Sequence, residues 1–233
     1  MPAESQGVDY FFRRHPLTAV QVRASLRVRR LVYDWFSARI GGVRGRTFLD
    51  HGSTPDTERG DSNCFIRWLL ADGAAVYAAS PEDIHALEAA YPGLHTVPWP
   101  PRHEDLPQVD GIISCAVLEH VGGRARQEEY ISTLLSLGRR VLLITPNRFH
   151  WLEFHTKLPL CHWLPKPWHR RVLSCLGLAF WAREENLNLV SRGELQEMLD
   201  AACRGLARPV SVNWCRPRYL GMTSNLAVLV ESA

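Results

Sequence analysis

At 233 residues, with 46% hydrophobic residues, the chain has enough material for one domain with a sizeable core, and its 22% of charged residues is ordinary for a soluble globular protein. No apolar run approaches the roughly 20 residues of a membrane-spanning helix. Residues 1–7 lack the apolar core of a signal peptide, so a cytoplasmic protein is expected. The net charge of +3 is too small for a chain that is basic throughout, and six scattered cysteines without a Cys-x-x-Cys pair read as reduced thiols, not a zinc site.

The charge is unevenly placed. Residues 1–46 carry nine arginines (Arg13, Arg14, Arg23, Arg27, Arg29, Arg30, Arg39, Arg44, Arg46) against Glu4, Asp9 and Asp34. Such a segment is either a solvated helix face or an attractor for an anionic partner: a phosphorylated substrate, a lipid headgroup or nucleic acid. No nucleic-acid-binding motif accompanies it, so no nucleic-acid partner is expected, while peripheral membrane contact stays open. Val22, Leu26, Arg29, Val32, Tyr33 and Phe36 recur near helical spacing from Thr18 to Arg39, and Gly41-Gly42 stops the helix. Residues 1–46 are therefore a basic helical segment ahead of a domain at 47–233.

Thr47–Asp50 reads as a short buried strand, and the polar loop 51–62 leads to a helix carried by Phe65, Ile66, Leu69 and Leu70. Asp72-Gly73 turns the chain into a strand at Ala75–Ala79, followed by a helix through Ile84, Leu87 and Ala90, then a strand at Leu94–Val97. A proline-rich stretch at 98–107 precedes Gly111–Ala116, an apolar run suited to a central parallel strand. A helix near 125–138 and a strand at Val141–Ile144 continue the alternation, which implies right-handed crossovers and a doubly wound sheet. After Pro146 regularity breaks: residues 147–183 hold Trp151, Trp163, Trp168 and Trp181 with His150, His155, His162 and His169. A helix near 191–204 and strands near 209–215 and 225–231 close the chain as an antiparallel hairpin. The expected fold is α/β, a mostly parallel seven-stranded sheet.

Phe48-Leu49-Asp50-His51-Gly52, then Asp105-Leu106-Pro107, then Ile113 to Val121 with its Leu118-Glu119-His120-Val121, resemble the class I S-adenosylmethionine-dependent methyltransferases. The similarity is to a small-molecule branch with a Leu-Glu-His-Val signature; Thr145-Pro146-Asn147-Arg148 fits the end of its fifth strand. The resemblance covers about residues 45–230 and implies a Rossmann-like fold with S-adenosyl-L-methionine as cofactor. It implies that Asp50, His51, Gly52, Ser53 and Thr54 approach the methionine moiety, Ser80 or Glu82 the ribose, Asp105 the adenine, and Ser114, Cys115 and Ala116 the same crevice. Ligands in open α/β sheets bind beyond the carboxyl ends of the strands, where these segments converge.

Two departures stand out. Of the glycines in an Asp-x-Gly-x-Gly-x-Gly loop only Gly52 remains, in Asp50-His51-Gly52-Ser53-Thr54-Pro55-Asp56, although a sub-branch carries a Thr-Pro-Asp loop followed by Ser-Asn, as Ser62-Asn63 does here. The acidic ribose ligand would fall at Ser80, with Glu82 and Asp83 either replacing it or facing the positive end of the next helix.

Methyl transfer from a sulfonium asks the protein to align the reactants and exclude water; a base is needed where the acceptor must lose a proton. His120, His150 and His155 are the candidates. The histidine spacings within 147–183 match no standard ligand pattern, so no metal is expected. The aromatic segment at about 147–183 is read as a lid, either a flap over the core or an apolar acceptor pocket lined by Phe149, Trp151, Phe154, Trp163 and Trp168. The expected activity is methyl transfer to a small molecule, at a hydroxyl, amine or carbon, from an acceptor that is apolar or lipid-linked in one reading. The alternative is a catalytically inactive methyltransferase fold that acts as a binding or scaffolding protein.

Overall fold

The computed structural model describes residues 18–206 and 208–232; Arg13, Arg14, Glu4 and Asp9 lie outside them. Five parallel strands, β1 (Thr47–His51), β2 (Ala75–Ala79), β3 (Leu94–Thr96), β4 (Gly111–Cys115) and β5 (Arg140–Pro146), alternate with helices α2 (Cys64–Ala71), α3 (Ala86–Ala90) and α4 (Arg124–Leu137). A further helix α1 (Thr18–Ile40) precedes β1, and α5 (Lys166–Cys175) and α6 (Arg192–Arg204) follow β5. The chain ends with β6 (Val210–Cys215), a two-stranded ribbon of β7 (Arg218–Tyr219) and β8 (Met222–Thr223), and β9 (Asn225–Ser232). The main sheet has the order β3-β2-β1-β4-β5-β9-β6, with β9 antiparallel to both β5 and β6. The seven-stranded, doubly wound sheet and its late antiparallel pair are as the sequence pattern implies.

Both sheet faces are covered, which is why the central strands are apolar at consecutive positions. Successive side chains point to opposite faces. Ile113, Leu142, Ile144 and Phe48 therefore pack with α1 and α2, while Ile112, Val141, Leu143 and Leu49 pack with α4 and α6. The apolar stripe of α1 (Val32, Tyr33, Phe36, Ile40) belongs to the first of these cores, so the described part of the basic segment is built into the domain. Burial of each such side chain stabilises by about 1.5–3 kcal/mol. The Gly41-Gly42 amides close the end of α1 on the Ala38 and Ser37 carbonyls. Ser191 opens α6 with a capping box, accepting from the Glu194 amide while Glu194 accepts from Ser191 N–H. Among the described residues, no helix is long and apolar enough to cross a membrane.

Candidate active site

The strand order reverses between β1 and β4, so the loops that leave their carboxyl ends form the walls of the crevice at the switch point. Gly52 follows β1 at φ +95°, and a Cβ there would lie 2.5 Å from Val117 Cγ2, in the loop after β4. Only glycine allows this close approach. Ala116, beside it, holds φ +60°, a conformation non-glycine residues adopt rarely, and its amide donates to the Ile144 carbonyl.

Asp50 is 8% exposed; burial pushes its carboxyl up to about 6, against the Ser53 hydroxyl that donates to it at 2.6 Å and the nearby charge of Arg29. Arg29 comes from α1 and donates to the Asp61 carbonyl, so this arginine serves the loop and not a solvated face. His51 is buried and pushed down to about 4, which keeps it neutral, and its Nδ1 lies 3.0 Å from Tyr130 Oη. Tyr130 also meets Ser114 Oγ at 2.8 Å, so one network ties β1, β4 and α4 together. Burial pushes the Cys115 thiol up to about 12, which rules it out as a nucleophile at neutral pH.

The rest of the loop is held by polar side chains where a glycine-rich loop would rely on backbone freedom. Asn63 accepts from the Thr54 amide and donates to the Thr54 and Asp56 carbonyls. Asp56 accepts from the Glu58 amide and the Ser62 hydroxyl. Asp56, Ser62 and Asn63 are thus structural partners of the loop, signalled in sequence by the Thr-Pro-Asp and Ser-Asn pairs.

Ser80 is buried at the end of β2, where its hydroxyl accepts from the Glu82 amide, and Glu82 is exposed with its carboxyl pushed up by partial burial. Asp105 is placed differently from expectation. It sits in a single 3-10 turn, His103–Asp105, its carboxylate taken by the side chain and backbone N–H of Arg102, which hold it below the usual range. The same turn docks through His103 on the Ser136 carbonyl near the end of α4, and Asp110 accepts from the Thr47 amide at the start of β1. The β3–β4 connection therefore travels toward the amino ends of the strands, and Asp105 is not brought to Gly52. Trp99, in the proline-rich stretch after β3 and marked by no motif, lies with its ring centroid 4.8 Å from that of His51.

A second cluster lies past the end of β4. Glu119 is fully buried; one carboxylate oxygen accepts from the Thr145 hydroxyl at the end of β5. His120 Nδ1 is 2.6 Å from the Asn186 carbonyl, so it donates there, and Nε2 lies 3.9 Å from Glu119 Oε1. Burial lowers the His120 pKa against the charge of Glu119. His155, from the segment after β5, donates through Nδ1 to Glu153 Oε1 at 2.7 Å, and the two imidazole rings are 4.9 Å apart. Burial alone would lower the His155 pKa, but the Glu153 carboxylate raises it further; Glu153, though buried, is held at about 2 by His155 and by Thr156. Gln127 and Asn188 pin the turn that carries Glu119, Gln127 donating to the Leu118 carbonyl and Asn188 N–H to that of Glu119.

His150 takes no part in this cluster. It is 1% exposed, stacked on Phe154, with Nδ1 3.0 Å from the Leu152 carbonyl. The lid region has its own small core of Leu173, Trp181, Leu187 and Leu189, and Trp181 packs on His155. Phe149, Trp163 and Trp168 are exposed and so do not line a closed apolar pocket.

No family model matches the chain, and no curated protein is similar to it. Solved structures are. Magnesium protoporphyrin IX methyltransferase (ChlM) from Synechocystis PCC 6803 with bound SAH superimposes at TM-score 0.55 and 18% identity over 94% of this chain and 88% of that one. An S-adenosylmethionine-dependent methyltransferase from Mesorhizobium loti gives TM-score 0.51 at 16% identity, over 81% and 92%. DhpI in complex with SAM and HEP gives 0.51 at 16%, over 93% and 87%. In fold, the chain is therefore similar to S-adenosylmethionine-dependent methyltransferases.

Proposed function

We propose that the protein transfers a methyl group from S-adenosyl-L-methionine to a small-molecule acceptor. The observation that carries this reading is the crevice at the switch point, where Gly52 at φ +95° sits against Val117 with no room for a side chain and the buried Asp50 carboxyl lies at its base. These residues fit the methionine end of the cofactor: Gly52 lets the β1 and β4 loops close on each other, and Asp50 offers a carboxylate for the ammonium group. Bound there, the cofactor supplies an electrophilic methyl on a sulfonium. Asp50 and the loop tied by Ser53, Asn63 and Asp56 hold and orient it, with Thr54 and Ser80 at the adjoining strand ends. Ser114 and Tyr130 fix the floor through His51, and Cys115 and Ala116 shape the wall.

The acceptor is placed by the cluster of Glu119, His120 and His155, while His150 scaffolds the lid. The exposed Trp163, just before the basic α5, and Trp168, within it, support an apolar or lipid-linked acceptor. Isothermal titration with S-adenosylmethionine and S-adenosylhomocysteine tests the reading. Micromolar binding is expected for the wild type and none for Gly52→Arg. Absence of heat with either ligand, from protein whose near-ultraviolet dichroism shows a packed core, would refute methyl transfer and leave a fold kept for binding or scaffolding.

A further inference from the structure

We infer that Glu119, His120 and His155 form a binding site for one divalent transition-metal ion. One ligand atom from each of the three lies within 4.8 Å of the others. Ligands sharing a metal at about 2.0–2.2 Å each stand roughly 3–4 Å apart, so small side-chain movements close the set.

The strongest single sign is Glu119. Its side chain is 0% exposed, Oε2 accepts from Thr145, and Oε1 has no hydrogen-bond partner. A carboxylate oxygen taken out of water without a partner is costly, and a cation facing it removes that cost. Oε1 is also the atom nearest His120 Nε2.

Each proposed ligand is oriented by a partner behind it. Thr145 holds Glu119, the Asn186 carbonyl holds His120 through Nδ1, and Glu153 holds His155 through Nδ1. Glu153 is itself fixed by the Thr156 hydroxyl and the His155 amide. With Nδ1 committed on both rings, each imidazole is set to bind through Nε2. A carboxylate or carbonyl behind a ligating histidine is the usual outer layer of a metal site.

Two imidazoles and one carboxylate favour zinc, manganese or iron over magnesium and calcium, which prefer oxygen donors throughout. Three protein ligands leave positions open, and the partial exposure of the His120 and His155 side chains, 21% and 14%, gives access to them. On the methyl-transfer reading, the open positions take an oxygen of the acceptor, which narrows the acceptor to one with a hydroxyl or carboxylate near the methylated atom. The metal site itself does not depend on that reading.

The test uses the full chain, stripped with chelator and titrated with cobalt(II) while visible absorption is followed, with zinc and manganese titrated calorimetrically. One equivalent is expected to bind. His155→Ala and Glu119→Gln should abolish the cobalt spectrum, and Glu153→Gln should weaken binding by about 10–100-fold. His103→Ala, at the amino ends of the strands and so across the sheet from the cluster, should change nothing. Failure of the wild type to bind any of the three ions, or binding that His155→Ala leaves intact, overturns the site. His155→Ala carries the test if Glu119→Gln does not fold. Cobalt binding without S-adenosylmethionine binding would keep the metal site and remove the methyl-transfer reading; the converse result would do the opposite.

Discussion

Gly52→Ala puts the close approach of the two crevice loops to a quantitative test. The new Cβ would lie 2.5 Å from Val117 Cγ2, 3.1 Å from Cγ1 and 3.4 Å from Cβ. Carbon atoms pack best at about 3.5–4.0 Å, so the nearest contact is short by about 1 Å. Overpacking of this kind costs about 1–3 kcal/mol. Holding alanine at φ +95° adds about 1–2 kcal/mol. The expected loss is about 3 kcal/mol, read as a lower urea midpoint at unchanged slope. Val117→Ala removes both offending methyls, so in that background Gly52→Ala should cost only the backbone part, about 1–2 kcal/mol. A Gly52→Ala penalty below about 0.5 kcal/mol, or the same penalty with and without Val117, would refute the packing argument.

His51 and Asp50 should give opposing pH dependences. The His51 pKa falls from 6.5 to about 4 on folding, so its contribution is present above pH 6.5 and lost as pH falls through 4, by about 3 kcal/mol at most. The Asp50 pKa rises from 3.8 to about 6, so folding gains about 3 kcal/mol as pH falls through that window. The two nearly cancel in the wild type; His51→Asn should become more stable from pH 6.5 to 4 and Asp50→Asn less stable, and parallel denaturation curves for all three proteins would contradict the assignment. Asn63→Ala removes three hydrogen bonds from the cofactor loop and the residue best suited to φ +50°, so a loss of about 2–3 kcal/mol and faster exchange of the Thr54 amide are expected.

The sheet was legible because its strands obey local rules. Ile112 and Ile113 had to face opposite layers, and both layers exist. Local rules misled where one residue departs from its neighbours. Arg29 shares the inward stripe of its helix with Leu26 and Val32, which sets it apart from Arg27 and Arg30, but its charge suggested solvent and only the fold shows it turned to the Asp61 carbonyl. Asp105 precedes β4 and so looked ready for the crevice, but a connection between parallel strands must return to the amino end of the next one, and the residues just before β4 go with it. His150 follows β5 directly but is consumed by the lid's own backbone.

The cluster of Glu119, His120 and His155 shows why a site can be absent from the spacing of a sequence and present in the fold. Its first two members end the β4 loop; the third arrives only after α4 and β5 have carried the chain across the sheet and back. No ligand pattern along the chain links them, and the histidines close to His155 in sequence, His150 and His162, are spent on each other's surroundings, His162 Nε2 lying 2.6 Å from the His150 carbonyl. What assembles the three is the set of tertiary hydrogen bonds around them: Thr145 from β5 on Glu119, Asn188 clamping the β4 loop, Asn186 on His120, Glu153 on His155. These partners are ordinary polar residues in sequence. Their meaning lies in pointing three donors at one volume while leaving one buried carboxylate oxygen without a hydrogen bond, and that oxygen distinguishes a site that expects a cation from a satisfied polar core.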